Sequence, residues 1–106
     1  MSASQRRKGA TYEREIVTIL RDTLAADVSR NLSQVRDSGA DILWKDWVFE
    51  CKRRQRLSFT KWMAQAKAAC LGVQRPVVIC REDQGENLVI MRLTDFLHLL
   101  RDKNEP

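Results

Sequence analysis

Between residues 10 and 26 the apolar positions Ile16, Val17, Leu20 and Leu24 recur at the three-to-four-residue interval of one helix face. This spacing predicts a first helix from about Ala10 to Ala26, with residues 1–9 as a flexible basic arm. Extending the stripe back one turn reaches Glu13, which points to the core side at the N-terminal end, whereas Glu15 looks towards solvent. A favourable charge in the first helical turn is the structural alternative for Glu13. Asp27 to Arg30 then reads as a short edge strand, 31–38 as a polar loop, and Gly39 as the residue permitting a tight bend.

The pattern next changes to runs rich in β-branched and aromatic residues. Ala40–Trp44 and Trp47–Lys52 predict two strands joined by Lys45-Asp46, a turn without the favoured Asn-Gly chemistry. Ser58 or Thr60 can cap a second helix reaching Leu71, with Gly72 as its stop and Phe59, Trp62, Met63, Ala66, Ala69 and Cys70 inward. Pro76 opens a strand, Val77 to Cys80, apolar enough to be buried on both faces. A polar turn from Glu82 to Glu86, a strand from Leu88 to Met91, and a last helix capped by Thr94 and striped by Leu93, Phe96, Leu97 and Leu100 complete the chain. His98 falls off that stripe and is expected to be exposed.

At 106 residues the chain suits one domain, taken here as 10–102 with a tail at 103–106. Apolar residues make up 43% and charged residues 31%, which argues against both disorder and a membrane protein. No apolar run approaches the ~18–20 residues needed to span a bilayer, and the basic start lacks the apolar stretch of a secretory signal. Cys51, Cys70 and Cys80 are widely spaced within apolar runs, so reduced core thiols and a cytoplasmic location are expected. The net charge of +5 makes polyanions plausible partners. Two basic runs stand out, Arg6-Arg7-Lys8 and Lys52-Arg53-Arg54 with Arg56. Either could equally be a solvated face.

The predicted hairpin sets Trp44 opposite Trp47, Leu43 opposite Val48, and Asp41 opposite Glu50. Opposed residues have Cβ atoms about 4.5–5.5 Å apart, so two carboxylates there repel unless a cation lies between them. Mg²⁺ accepts one or two carboxylates together with water and phosphate oxygens. Alternation puts Lys52 on the face of Glu50 and turns Cys51 the other way with Phe49 and Trp47. An ammonium there can orient an attacking oxygen or stabilise charge growing on a phosphate. A simple salt bridge from Lys52 to either acid is the structural alternative.

Asp41 followed nine residues later by Glu50-Cys51-Lys52 resembles the D…ExK signature of the PD-(D/E)xK nuclease superfamily, with Ala40 in its proline position. The opening Arg7-Lys8-Gly9-Ala10-Thr11-Tyr12-Glu13-Arg14-Glu15 resembles that of the archaeal-type Holliday junction resolvases, where an RKG segment leads into a helix bearing a catalytic Glu, here Glu13. Arg14 and Arg30 match basic positions of that family. The likeness spans roughly residues 6 to 81; the loop 31–38 departs from the resolvase pattern, and the residues after Lys52 are denser in arginine.

The resemblance implies a mixed α/β (α+β) restriction-endonuclease-like core in the order α-β-β-β-α-β, followed here by a strand and a helix. It implies Mg²⁺, or Mn²⁺ in its place, held by Asp41, Glu50 and the Cys51 backbone carbonyl, with Glu13 completing or supporting the site and Lys52 acting on the attacking water. DNA contacts are expected from Arg7, Lys8, Arg14, Arg30, Arg36, Arg53, Arg54, Arg56, Lys61 and Gln65; an exposed glutamine without a role is the alternative for Gln65. The implied activity is a structure-selective endonuclease cutting branched DNA such as Holliday junctions. Because symmetric junction cleavage needs two sites, a homodimer is expected, with Phe96, Leu97 and Leu100 either forming its interface or covering the sheet. A nickase or restriction-like enzyme on duplex DNA, an inactive DNA-binding module of the same fold, and an RNA-binding protein are the competing readings.

Overall fold

A computed structural model describes the backbone of residues 3–25, 28–30 and 41–104, and the side chains of 7–25, 28–30 and 41–103. The elements are α1 (Ala3–Leu24), β1 (Ser29–Arg30), β2 (Ile42–Trp44), β3 (Trp47–Arg54), α2 (Phe59–Ala68), β4 (Arg75–Glu82), β5 (Leu88–Met91) and α3 (Leu93–Asn104). The five strands form one sheet in sequence order. β3 and β4 run parallel, joined by α2 as the crossover that a parallel pair requires, and the other neighbours are antiparallel. This is the expected mixed α+β architecture, compatible with a restriction-endonuclease-like core.

Side-chain alternation along β3 and β4 divides the core in two. Phe49, Cys51, Val77 and Ile79 pack with Ile42 and with Tyr12, Ile16 and Val17 of α1. On the other face Val78 and Cys80 pack with Trp62 and Ala66 of α2. Continuous burial from Pro76 to Cys80 follows, because helices cover both faces of β4. β3 and β4 each extend beyond the expected limits, to Arg54 and from Arg75 to Glu82.

Helix boundaries differ more. α1 begins at Ala3, so residues 3–9, expected as a flexible arm, are its first turns. Their alanine, glutamine, arginines and lysine favour a helix, and the roughly 1 kcal/mol penalty of an interior Gly9 is tolerated. The buried face of α1 is also rotated from the expected stripe: Tyr12 is fully buried, while Leu24 is 38% exposed. α2 stops at Ala68 rather than Leu71, Phe59 is exposed, and Ser58 occupies the N-cap position without a side-chain cap bond. Gly72 sits in the following turn at φ +58°, a left-handed conformation that favours glycine.

α3 opens at Leu93, with Thr94 inside it, and continues through Asn104 into the expected tail. Its first turn is fixed by Asp95, whose buried carboxylate lies 2.8 Å from Arg92 and 3.9 Å from Arg75. Leu93, Phe96, Leu97 and Leu100 are exposed, with Leu93 and Phe96 lining an open groove beside Val89, Ile90 and Met91 of β5. His98 is exposed and lies 3.1 Å from an Arg101 nitrogen. Cys51, Cys70 and Cys80 are free thiols, the first and last of them buried. No helix among the described residues is long and apolar enough to cross a membrane. The expected loop at 31–38, Gly39, Ala40, Arg36, the strand start at Asp27, the helix end at Ala26 and the side chain of Arg6 lie outside the described residues.

Candidate active site

The β2–β3 hairpin has the register that its sequence predicts: Trp44 pairs with Trp47, Leu43 with Val48 and Ile42 with Phe49. Its two-residue turn obliges Lys45 to take φ 55°, which glycine or asparagine would adopt more readily. The ladder stops at Ile42, and Asp41 makes a local departure from it. Its N–H donates to the Phe49 carbonyl at 3.2 Å, and its Oδ2 accepts the Cys51 N–H at 2.9 Å. Asp41 thus caps the open end of the hairpin, next to Glu50. In this register the N–H and C=O of Cys51 share the β2 side of β3.

Glu50 lies between Val48 and Lys52 on the α2 face of β3, beside Val78 of β4. Both acids are buried, at 9% and 8% exposure for Asp41 and Glu50. Lys52 Nζ lies 3.2 Å from Glu50 Oε1, so the salt-bridge alternative is present in the structure. It does not neutralise the pair. Burial first, and the neighbouring Glu50 charge second, push the Asp41 carboxyl up to about 7, against the lowering effect of the Cys51 amide. Burial also raises Glu50, although the charge and hydrogen bond of Lys52 oppose it. The Cys51 thiol is pushed well up by burial and then by the surrounding acids, which makes it a neutral core group.

Glu13 is half-buried on α1 and forms a 3.0 Å ion pair with Arg30 Nε on β1. Its charge is felt at Asp41 and Glu50, but no three His, Cys, Asp or Glu side chains among the described residues gather closely enough for a metal cage. The site is therefore a pair of acids with a third acid at longer range. Mg²⁺ does not require a cage: it usually keeps several waters and takes one or two carboxylates plus phosphate oxygens. Two buried, mutually repelling carboxylates with an ammonium alongside fit such an ion by charge and by ligand type.

The basic residues divide between the two faces of the sheet. Arg54 shares the α2 face with Glu50 and Lys52, is half-buried, and its charge favours ionised Glu50. Its guanidinium donates to the Arg53 carbonyl at 2.9 Å. Lys8 and Arg53 instead meet at Asp83, at 2.9 and 3.6 Å, on the α1 side. Arg30 is engaged by Glu13. Arg7, Arg14, Arg56, Lys61 and Gln65 are exposed.

Sequence patterns did not single out Tyr12, Asp83 or Arg81. Tyr12 donates its hydroxyl to Asn87 Oδ1 at 2.8 Å, and Arg81 lies over its ring, 5.4 Å from the centroid. The one available sequence signal was the i, i+4 relation of Tyr12 to Ile16. The others depend on the β3–β4 register, which sequence spacing does not specify.

Comparison with known proteins adds one finding. The model of a family described as "Phage putative PDDEXK endonuclease" matches residues 4–106. No curated protein and no solved structure matches the chain.

Proposed function

From the premise that the chain belongs to this phage PDDEXK endonuclease family, we propose that it is a Mg²⁺-dependent, structure-selective DNA endonuclease, acting on branched DNA as a Holliday junction resolvase. The observation that carries the metal-dependent chemistry is the buried Asp41–Glu50 pair with Lys52 3.2 Å from Glu50. Asp41 and Glu50 would hold Mg²⁺, or Mn²⁺, with the Cys51 carbonyl as a third donor on the same side of β3. When bound, the ion supplies Lewis-acid stabilisation of the charge that develops on the phosphate. Lys52 orients the attacking water and adds positive charge beside the scissile phosphodiester. Glu13, ion-paired to Arg30, supports the site electrostatically rather than as a direct neighbour of both acids.

Junction selectivity is supported by the resolvase-like sequence from Arg7 to Glu15, which lies within α1. A homodimer would supply the second active site, and the exposed Phe96, Leu97 and Leu100 offer an apolar surface for it. The location that follows is the cytoplasm of a bacterial, archaeal or phage-infected cell, where the chain would serve DNA recombination or repair.

The test is cleavage of a four-way junction, a flap, a linear duplex of the same sequence and a single strand, with Mg²⁺ and with EDTA. Junction cutting that requires Mg²⁺ is expected. Equal cutting of the linear duplex would replace junction selectivity with a nickase or restriction-like activity, and binding without cutting of any substrate would indicate an inactive module.

A further inference from the structure

Two arginines occupy paired positions on the α1 face of the sheet. The parallel register sets Arg53 of β3 next to Arg81 of β4, and alternation gives both the same face as Cys51 and Ile79. Their side chains are only 26% and 21% exposed, and the Nε of each is buried without a hydrogen-bond partner. The nearest acids are loose counterions. Asp83 Oδ1 is 3.6 Å from Arg53 Nε, and Glu15 Oε1 is 3.6 Å from an Arg81 terminal nitrogen, both beyond a normal N–H···O bond. Tyr12 supports the Arg81 guanidinium through its ring without accepting any N–H. Lys8, one turn before Tyr12 on α1, adds a third cation, with Nζ 2.9 and 3.0 Å from the two Asp83 oxygens.

Like charges on directly neighbouring strand positions repel, and a buried donor without an acceptor is uncommon in folded proteins. Guanidiniums on paired positions can satisfy one oxyanion at several points at once, and their buried, unpaired Nε–H groups show that Asp83 and Glu15 do not already do so. Asp83 supplies one carboxylate to this cluster but hydrogen-bonds only Lys8. A tetrahedral oxyanion with oxygens on several sides would meet all three cations better.

We propose that Arg53, Arg81 and Lys8 form one binding site for a phosphodiester oxyanion of the nucleic-acid backbone, and that Asp83 is the internal anion which that phosphate displaces. The inference rests on the nuclease reading for the identity of the polyanion. Arg53 directly follows Lys52 in β3, so the chain passes from the catalytic face to this cluster in one residue, and a backbone crossing the end of β3 meets both. Arg53 and Lys8 each match an expected DNA contact; Arg81 and Asp83 join them into a single site on the face opposite Glu50.

The experiment is fluorescence anisotropy of labelled duplex and four-way junction in EDTA across a salt series, with melting temperature recorded for every variant. R53A and R81A should each weaken binding about tenfold and make the slope of log affinity against log salt shallower by roughly 0.9 for each phosphate no longer neutralised. R53K and R81K should keep the slope, and D83N should tighten binding by releasing Lys8 and Arg53. Inorganic phosphate at constant ionic strength should compete with DNA on the wild type more effectively than on R81A. Unchanged affinity and slope in R53A and R81A would overturn the proposal, whether or not stability fell, as would weaker or unaltered binding by D83N. Phosphate binding that leaves DNA affinity independent of these residues would overturn the nucleic-acid assignment. A wild-type protein that binds no DNA refutes the nuclease reading itself, whereas one that binds and cuts while these variants behave normally refutes this site alone.

Discussion

Strand β3 contributes one member to a pair of like charges on each of its faces, Glu50 beside Asp41 and Arg53 beside Arg81, and the two pairs are treated differently by the fold. Asp41 and Glu50 are buried at the open end of the hairpin, with one backbone amide on Asp41 and one ammonium on Glu50. Arg53 and Arg81, three positions further along, stay partly exposed and have Asp83 and Glu15 within 3.6 Å. Guanidiniums stay charged at any physiological pH, so the fold must leave the basic pair solvent and counterions. Carboxylates can respond to crowding by taking up a proton, and Asp41 does so with a carboxyl near 7. In the proposed reading a divalent cation would take the place of that proton at the acid pair, whereas the basic pair, already partly compensated, would exchange one anion for another.

Removing an acid gives the largest expected effect. D41N or E50Q should lower Mg²⁺-dependent cleavage by about 10³-fold, the upper end of the range seen when a principal electrostatic group is lost from an active site, while DNA binding in EDTA persists. K52A should lose less, roughly 10²-fold, because the acids still hold the ion. Single-turnover cleavage rates check both, and full activity in D41N and E50Q would remove the acid pair from the mechanism.

The same pair predicts an unusual pH dependence of stability. Asp41 titrates near 7 in the folded protein against an ordinary value of 3.8, so between these limits the folded state binds more protons than the unfolded one. Stability of the metal-free protein contributed by this group is highest below about pH 4, falls as pH rises towards 7, and levels off above it. The effect is on the order of a few kcal/mol. Thermal melts in EDTA at pH 4.5 and 7.5 should show the loss in the wild type, and the D41N-minus-wild-type difference should grow with pH. A difference independent of pH would mean that Asp41 is not held protonated.

How much of this was legible beforehand follows from which interactions are local. The register of the hairpin from Ile42 to Phe49 and the shared face of Glu50 and Lys52 depend on alternation within a short stretch of consecutive positions, and period-2 patterning carries them. The same patterning brings Asp41 near Glu50, but it does not carry the departure of Asp41 from the ladder to bind the Phe49 carbonyl and the Cys51 amide. The ends of α1 and α2 were less accessible, because helix limits are set by what lies across the fold. Lys8 reaches Asp83 and Tyr12 reaches Asn87, each 75 positions away in sequence, and both tie the early turns of α1 to the β4–β5 region. Stripe counting chose Leu24 for the core and passed over Tyr12, whose polar hydroxyl hides how deeply its ring is buried. Arg81 could not be placed beside Arg53 until the parallel β3–β4 register was known.

A smaller change tests that long-range tie. Y12F keeps the ring under Arg81 and removes only the hydroxyl bond to Asn87. About 1 kcal/mol of stability should be lost, read as a fall of roughly 4–8 °C in melting temperature, with cleavage by the acid pair nearly unchanged. A fall in cleavage much larger than the fall in stability would instead link the orientation of α1, and so Glu13, to the chemistry.

The central claim is that the hairpin acids form a cation site, and calorimetric titration of Mn²⁺ and Mg²⁺ into the metal-free protein at pH 7.5, with and without a DNA oligonucleotide, tests it most directly. Uptake by the wild type that is lost in D41N and E50Q is the predicted result, with a fractional proton release from Asp41 that grows as the pH is lowered towards 6.5. Equal uptake by all three proteins, or no uptake by the wild type even with DNA present, would contradict the account.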